Sequence, residues 1–274
     1  MLLALDIGNT EIACGLYQIA TNHSEHKLRA HWRLRSAHSI TDDELRWQLF
    51  GQLQMQQLPA ERIRAMIVAS VVPSLDSVVR QACAKLCSAP VALIGDPDLK
   101  IGIELDYLHP EEIGADRIVN AVAARHRFGS PVIVLDFGTA TTFDVVSANG
   151  HYAGGLILAG VDLALGALAQ RAARLPEVSL TRTKTVIAKE TVHAMQAGSY
   201  WGAVEAINGL IRRLHSEMGS RSVPVIATGG MAAKIAADIE GLTALQPQLT
   251  LDGLAMLGAT HFGTLLIPSQ NVRP

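Results

Sequence analysis

Two short stretches of the sequence place a carboxylate and a glycine directly after an apolar run. "LALDIGNT" (3–10) contains Asp6 and Gly8, and "IVLDFGTATT" (133–142) contains Asp136 and Gly138. An Asp at the end of a strand can hold Mg²⁺ through water, and the glycine lets a phosphate approach backbone N–H groups. A single copy is also explained by a turn that needs Asp and Gly only for its shape. The repetition of the pattern favours phosphate chemistry.

A second stretch, "GADR" (114–117), places Asp116 next to Arg117 near a predicted helix start. The carboxylate could accept a proton from a substrate hydroxyl, and the guanidinium could bind an anionic group through two parallel hydrogen bonds. The alternative is an ordinary solvated charge pair on a helix. The sequence has neither a P-loop nor a dinucleotide-binding glycine pattern, although "ATGG" (227–230) is a further glycine turn that could admit a nucleoside.

Composition limits the class of protein. The chain has 274 residues, of which 49% are hydrophobic and 18% charged, and these values favour a compact globular protein that self-associates. A net charge of -2 without a basic cluster argues against nucleic-acid binding. The N-terminus lacks a signal-peptide pattern, and the apolar run at 154–169 is interrupted by Asp162 and glycines. We therefore expect no membrane segment, a cytoplasmic location, and a buried structure for that run.

The three cysteines also point to a reducing compartment, since they are too few for a disulfide framework. Cys83 and Cys87 lie four residues apart, a spacing that would allow a metal pair. No further Cys or His has ligand spacing, so small buried apolar residues are the favoured interpretation.

The order of the predicted elements indicates the fold class. Strand-like runs span 2–6, 12–18, 28–35, 62–73, 90–95, 131–146 and 223–230, and helical patterns span 41–57, 74–87, 109–129, 186–217 and 249–262. Thr41 is expected to cap the first helix, Pro110 to begin the third and Gly129 to end it. Strand clusters followed by helices, twice, predict an α/β protein of two related lobes, at 1–129 and 130–274.

The stretches "DIGNT", "GADR" and "DFGTATT", with "SVVP" (70–73), "HPEEIGADRIVNA" (109–121) and "ATGG", resemble the type III pantothenate kinases in their order and setting. The resemblance covers nearly the whole chain. It implies the ribonuclease H-like fold of acetate and sugar kinases, Hsp70 and actin: two duplicated actin-like ATPase lobes, each a mixed sheet with helices, and ATP in the cleft. It also implies a homodimeric kinase with a shared substrate site that converts pantothenate to 4'-phosphopantothenate, the first step of coenzyme A biosynthesis.

The same resemblance implies roles for individual residues. Asp116 would be the general base. An ordinary pKa suffices for this role, because the hydroxyl proton need leave only late in a loose transition state. Asp6 would hold Mg²⁺, and Asp136 would hold a monovalent cation, K⁺ or NH₄⁺. The residues implied to bind ATP are Asp6, Ile7, Gly8, Asn9, Thr10, Glu11, Ile12, Ala13 and Thr139. The residues implied to bind pantothenate are Tyr107, Gly114, Ala115, Asp116, Arg117 and Thr191.

Two positions depart from the family pattern. Ala159 precedes Gly160 where the family usually has proline, and Glu190 precedes Thr191 where it usually has Asn. The first departure predicts a looser turn into the next helix, and the second places a negative charge near the expected pantothenate carboxylate. Two alternatives remain open: a kinase of the same fold that acts on another small hydroxy acid, and a nucleotide-binding regulatory protein. The acid–guanidinium pair of "GADR" favours catalysis, because a switch alone would not need a base.

Overall fold

The computed structural model describes residues 1–20 and 26–266. Within these residues the chain forms two compact units. The first contains Met1–Gly102, Glu111–Ala123 and the described chain from Leu249 onward, and the second contains Ile103–Pro110 and Ala124–Gln248.

In each half of the described chain, three successive strands precede the helices. The strands are β1 (Leu2–Ile7), β2 (Glu11–Gln18), β3 (Lys27–Arg35), β4 (Ala65–Ser70), β5 (Val91–Leu93), β6 (Val132–Phe137), β7 (Ala140–Val146), β8 (Tyr152–Ala159), β9 (Val225–Thr228) and β10 (Leu242–Leu245). The α-helices are α1 (Asp42–Met55), α2 (Pro73–Leu86), α3 (Ala115–Phe128), α4 (Val161–Arg171), α5 (Thr191–Glu217), α6 (Ala232–Ile235) and α7 (Leu249–Phe262). Short 3₁₀ turns lie at Ala60–Arg62, Pro110–Glu112, Ala236–Asp238 and Gly263–Leu265.

The two sheets have the same topology. The strand order is β3-β2-β1-β4-β5 in the first unit and, read from the opposite edge, β8-β7-β6-β9-β10 in the second. In each unit the central strand pairs antiparallel with the strand that follows it and parallel with the strand on its other side. Asp6 is paired with Ala13 and Asp136 with Thr142, so each acid is the last residue but one of its central strand. The predicted duplication of the strand end is confirmed.

All five predicted helices are present, but two begin later than expected: α3, and also α5, which begins at Thr191 and not at 186. The Thr41 hydroxyl accepts a hydrogen bond from the Glu44 N–H at 3.2 Å, and the Glu44 carboxylate accepts one from the Thr41 N–H at 2.8 Å, which is a complete capping box. The prediction that Pro110 begins the third helix is wrong. Pro110 begins a 3₁₀ turn, and α3 begins only at Ala115. Gly129, with a φ of 80°, follows the end of α3 as expected.

The last helix, α7, packs against β1 and β4 of the first sheet. Its small residues make this close approach possible. A Cβ atom on Gly258 would lie 2.7 Å from a methyl group of Leu2, and a Cβ on Gly253 would lie 2.7 Å from Val119. The predicted lobes, 1–129 and 130–274, follow the repeat of the strands. In the structure, however, α7 belongs to the same compact unit as the first sheet, although it is the last helix of the chain.

The apolar run at 154–169 forms the end of β8 and most of α4. The expectation that it is buried is only partly right. Val161 and Leu165 are buried, but Ile157 and Leu163 are 66% and 55% exposed. No helix in the described part of the chain is long and apolar enough to cross a membrane.

The cysteines behave largely as the sequence suggests. Cys14 and Cys83 are buried and Cys87 is half-buried, and all three are free thiols. Burial raises the pKa of the Cys83 thiol to about 12, so this residue is an unreactive core side chain.

Candidate active site

The turn between β1 and β2 is tight and polar. Asp6 is half-buried at its start, and the Gly8 N–H donates to the Glu11 carbonyl at 2.9 Å. A Cβ on Gly8 would lie 3.0 Å from that carbonyl oxygen, so a larger residue would press against the turn. Ile7 and Ile12 are fully buried, and they can therefore offer a ligand only their backbone.

The polar side chains of this turn differ in their availability. Asn9 and Thr10 are exposed, and the Thr10 carbonyl accepts a hydrogen bond from the Ser36 N–H at 3.0 Å, which fixes the turn to the chain after β3. The Glu11 carboxylate forms an exposed salt bridge with Arg33 at 3.0 Å. Ala13 is half-buried within β2. Asn9 and Thr10 are thus the side chains best placed to meet a ligand.

The corresponding turn of the second unit follows β6. Gly138 and Thr139 are exposed, and Asp136 is half-buried. The glycine turn of "ATGG" lies against this strand end, because β9 runs parallel to β6 with Thr228 opposite Asp136. At Gly229, whose φ is 92°, a Cβ would lie 2.4 Å from a carboxylate oxygen of Asp136. Only glycine leaves that oxygen accessible here.

Gly160 holds the same turn from the other side. Its N–H donates to the Thr139 carbonyl at 3.1 Å, and a Cβ at this position would lie 2.3 Å from that oxygen. The turn into α4 is therefore fixed by a glycine contact and a hydrogen bond, and the looser turn expected from Ala159 is not what the structure shows. The sequence identified Gly160 only as a family position and gave no sign of this contact.

Asp116 and Arg117 lie in the first turn of α3. One Asp116 carboxylate oxygen accepts a hydrogen bond from the Arg117 N–H at 2.8 Å. Burial raises the pKa of the Asp116 carboxyl above its ordinary value, and this hydrogen bond and the Arg117 charge only partly oppose the rise. The alternative of a solvated charge pair is wrong, since Arg117 is only 8% exposed.

The "SVVP" stretch joins this acid to the β1 turn. Val71 follows β4, and its N–H donates to the Ile7 carbonyl at the end of β1 at 3.0 Å. A Cβ on Gly114 would lie 3.4 Å from the Val71 side chain and 2.6 Å from an Asp116 carboxylate oxygen. The start of α3 therefore lies beside the carboxyl ends of β1 and β4. The sequence pattern of "SVVP" alone did not indicate this role.

Tyr107 lies in the part of the second unit that precedes the 3₁₀ turn. Its side chain is 40% exposed, and its ring packs edge-to-face on the ring of Tyr152, with 6.2 Å between centroids. The described contacts of Tyr107 are thus with β8.

Thr191 is the first residue of α5, and both it and Glu190 are exposed. The irregular segment before it is anchored at several points. Arg182 forms two hydrogen bonds with the Asp238 carboxylate, at 2.7 and 2.8 Å, and its guanidinium lies over the Trp201 ring. The Trp201 indole N–H donates to the Thr183 hydroxyl at 3.1 Å. The segment that leads to Thr191 is therefore held at Arg182 and Thr183 by these contacts.

The candidate metal residues are two separate carboxylates. Among residues 1–20 and 26–266, no group of three or more His, Cys, Asp or Glu side chains could hold a metal ion. Mg²⁺ needs only one or two carboxylates when phosphate oxygens and water complete its shell. The half-buried Asp6, beside a glycine turn, fits this requirement. Asp136 offers oxygen donors beside a backbone kept clear of side chains by Gly229, and oxygen donors suit K⁺.

Known proteins of similar sequence cover almost the whole chain. The family model for type III pantothenate kinase matches residues 2–213. A type III pantothenate kinase of Moorella thermoacetica is 41% identical over 257 residues, which cover 94% of this chain and 98% of the relative. One of Paramagnetospirillum magneticum is 43% identical over 254 residues, which cover 93% and 95%.

Solved structures share the fold at low identity. A conserved Campylobacter jejuni protein, described as of the Baf family of transcriptional activators, gives a TM-score of 0.58 at 17% identity, with 94% of this chain and 98% of that chain covered. The activator of 2-hydroxyisocaproyl-CoA dehydratase from Clostridium difficile, with bound ADPNP, gives 0.51 at 13%, with 100% and 99% covered. Such likeness concerns the fold alone. With the repeated sheet topology, it confirms the predicted fold class, an α/β protein of two duplicated lobes that each contain a mixed sheet with helices.

Proposed function

Because the chain belongs to the type III pantothenate kinase family, we propose that it transfers the γ-phosphoryl group of ATP to the primary hydroxyl of pantothenate. The product is 4'-phosphopantothenate, and the reaction is the first step of coenzyme A biosynthesis. The observation that carries the proposal is the acid–guanidinium pair at the carboxyl ends of β1 and β4, in which Asp116 is half-buried and Arg117 is buried. The free cysteines support a location in the cytoplasm.

Asp116 acts as the general base. Burial raises its pKa, so its carboxylate takes up a proton more readily than an exposed aspartate would. The Arg117 charge and N–H oppose that rise and favour the ionised form of the carboxylate. Phosphoryl transfer mainly requires alignment and charge neutralisation, so a base that accepts the proton late in the step is sufficient.

The β1–β2 turn binds the ATP phosphates. Gly8 supplies close backbone approach, Asn9 and Thr10 supply exposed polar side chains, and Ile7, Glu11, Ile12 and Ala13 complete the backbone of the turn. Thr139 is a further ATP contact, held in place by Gly160.

Two cations assist the reaction. When bound, Mg²⁺ and a monovalent cation neutralise phosphate charge. Asp6 would hold Mg²⁺ through water, and Asp136 would hold K⁺ or NH₄⁺. The oxygen-only donors and the glycines beside them support these assignments.

Pantothenate is bound by the segment Gly114–Arg117, by Tyr107 and by Thr191. The guanidinium of Arg117 suits the pantothenate carboxylate, because it can form two parallel hydrogen bonds. Tyr107 presents an exposed ring and hydroxyl. Glu190 is exposed next to Thr191, and its charge is expected to weaken binding of an anionic substrate.

The enzyme is a homodimer in which the substrate site is shared. Several large apolar side chains of the second unit are exposed, among them Ile157 on β8, Leu163 on α4 and Ile187 before α5, at 66%, 55% and 86%. Exposed apolar side chains of this kind are stabilised when a second copy covers them. Ile187 lies four residues before Thr191, so this contact would place Thr191 near the partner subunit. The resemblance to the family supports pairing Thr191 of one subunit with Asp116 of the other.

A coupled assay of ADP release tests the proposal. Purified protein with ATP, Mg²⁺ and K⁺ is offered pantothenate and a panel of other small hydroxy acids, and the products are identified by mass spectrometry. We expect the highest kcat/KM with pantothenate. A preference for another hydroxy acid would show that the substrate assignment is wrong. Absence of ADP release with every substrate would show that the assignment as a kinase is wrong.

A further inference from the structure

Tyr152 is a buried tyrosine to which the proposed reaction assigns no role. It is the first residue of β8, and its side chain is fully buried. Its hydroxyl donates to a carboxylate oxygen of Asp144 at 2.8 Å, and Asp144 is itself fully buried. The Thr142 hydroxyl donates to the other oxygen of Asp144 at 3.4 Å. The tyrosine ring is thus anchored through its hydroxyl to a buried carboxyl group.

The backbone of Tyr152 holds the segment that carries Tyr107. Its N–H donates to the Glu104 carbonyl at 2.8 Å, and its carbonyl accepts from the Asp106 N–H at 2.9 Å. Leu105 and Tyr152 thereby form a parallel bridge outside the main sheet. This bridge ends one residue before Tyr107.

The side chain of Tyr152 then supports the ring of Tyr107. The two rings meet edge-to-face, at an interplanar angle of 62°. Gly154, on the same strand, lies against this ring: its φ is 100°, and a Cβ there would be in ordinary contact with the Tyr107 ring, at 3.5 Å. One face of the exposed ring therefore rests on β8, and the orientation of that ring depends on Tyr152.

We propose that Asp144 and Tyr152 are positioning residues that fix the ring of Tyr107 and thereby set the affinity for pantothenate. The inference rests on the proposed role of Tyr107 in substrate binding. Neither residue touches the reacting atoms. Loss of the anchor should therefore weaken pantothenate binding and leave the chemical step and ATP binding nearly unchanged.

The test is a double-mutant cycle between Tyr152→Phe and Tyr107→Ala. We expect Tyr107→Ala to raise the KM for pantothenate about tenfold, and Tyr152→Phe to raise it about fivefold with kcat and the KM for ATP within about twofold. Because Tyr152 acts through Tyr107, adding Tyr152→Phe to Tyr107→Ala should raise KM no further.

Tyr17 provides a matched control. It is also a fully buried tyrosine, and its hydroxyl donates to the Asp252 carboxylate at 2.7 Å, within the first unit. Tyr17→Phe removes the same kind of hydrogen bond, so it should lower the melting temperature comparably but leave the KM for pantothenate unchanged. A Tyr152→Phe variant that behaves like Tyr17→Phe would overturn the inference, as would additive effects in the cycle.

A second pair keeps the inference testable if Tyr152→Phe does not fold. Gly154→Ala strains a φ of 100° in the strand against which the Tyr107 ring lies, whereas Gly150→Ala strains a φ of 81° in the same hairpin, beside Arg125. Only Gly154→Ala should raise the KM for pantothenate, and equal values for the pair would contradict the inference. If Tyr107→Ala itself leaves that KM unchanged, the proposed role of Tyr107 fails, and the inference fails with it.

Discussion

Partial burial of one side chain, Asp116, destabilises its ionised form and also makes it a better proton acceptor. The carboxylate loses part of its hydration at the start of α3, and only the Arg117 N–H and charge compensate for the loss. A folded-state pKa above the unfolded value means that the folded protein binds this proton more tightly. The ionised carboxylate therefore destabilises the fold at a pH above its pKa.

We expect Asp116→Asn to be more stable than the parent protein near pH 8, because the amide removes the buried charge. The difference should shrink as the pH falls through the raised folded-state pKa of Asp116 towards the unfolded value of about 4. Melting temperatures across this range measure it. Asp43→Asn, in the first turn of α1, is the control. A lower melting temperature for Asp116→Asn at pH 8 would show that the carboxylate does not strain the fold.

Asp136 is the second residue with a testable role. No Lys or Arg adjoins it in the sequence to balance phosphate charge, so we expect activity to require K⁺ or NH₄⁺ at fixed Mg²⁺. Assays in potassium, ammonium, sodium and Tris buffers of equal ionic strength compare these ions. Asp136→Asn should remove the response to K⁺. Full activity of the parent protein in sodium alone would contradict the role.

At the scale of elements, glycines decide how closely the turns around the second strand end approach each other. Gly160 and Gly229 leave space for backbone and carboxylate oxygens at distances where no Cβ fits. Gly166, in the middle of α4, has open space around its missing Cβ. Gly160, directly before α4, is thus sterically constrained, whereas Gly166, within α4, is not.

This contrast predicts opposite results for two alanine substitutions. Gly160→Ala must displace the Thr139 carbonyl, so we expect lower stability and weaker ATP binding. Gly166→Ala should be stabilising by up to about 1 kcal/mol, because alanine is the better helix former. Chemical denaturation and nucleotide titration of both variants measure these effects. A Gly160→Ala protein with parental stability and ATP affinity would show that the turn is not tightly fixed.

Local signals in the sequence predicted elements well where one residue decides the outcome. Thr41 caps α1 and Gly129 ends α3 as expected, because both act through neighbouring backbone. Contacts between distant segments were not predictable in this way. The Gly160–Thr139 contact, the burial of Arg117 and the short strand β10 all depend on the folded arrangement. The role of "SVVP" was missed for the same reason.

At the scale of the molecule, duplication explains why the chain carries the same strand end twice. The repeat was readable from the sequence because both Asp turns follow equivalent strands. The sequence did not predict that α7 packs on the first sheet, because the apolar pattern of a helix does not indicate which element it will contact. The exposed apolar side chains of β8 and α4 likewise became apparent only in the fold.

A mixed-dimer experiment tests the proposed shared site. Asp116→Asn and Thr191→Lys should each be inactive as homodimers. In a mixed dimer one site carries both lesions and the other neither, so random mixing should restore about one quarter of the parental activity. Two affinity tags establish that mixed dimers form. Mixed dimers without any recovered activity would contradict a site shared by two subunits.

The most direct test of the central claim is the turnover of Asp116→Asn with pantothenate. The amide has the shape of the carboxylate but cannot accept the proton, so kcat should fall about 10²-fold or more. Titration with a non-hydrolysable ATP analogue should show unchanged nucleotide affinity, and Asp43→Asn should keep parental turnover. A folded Asp116→Asn protein that retained more than half of the parental kcat would show that Asp116 is not the base.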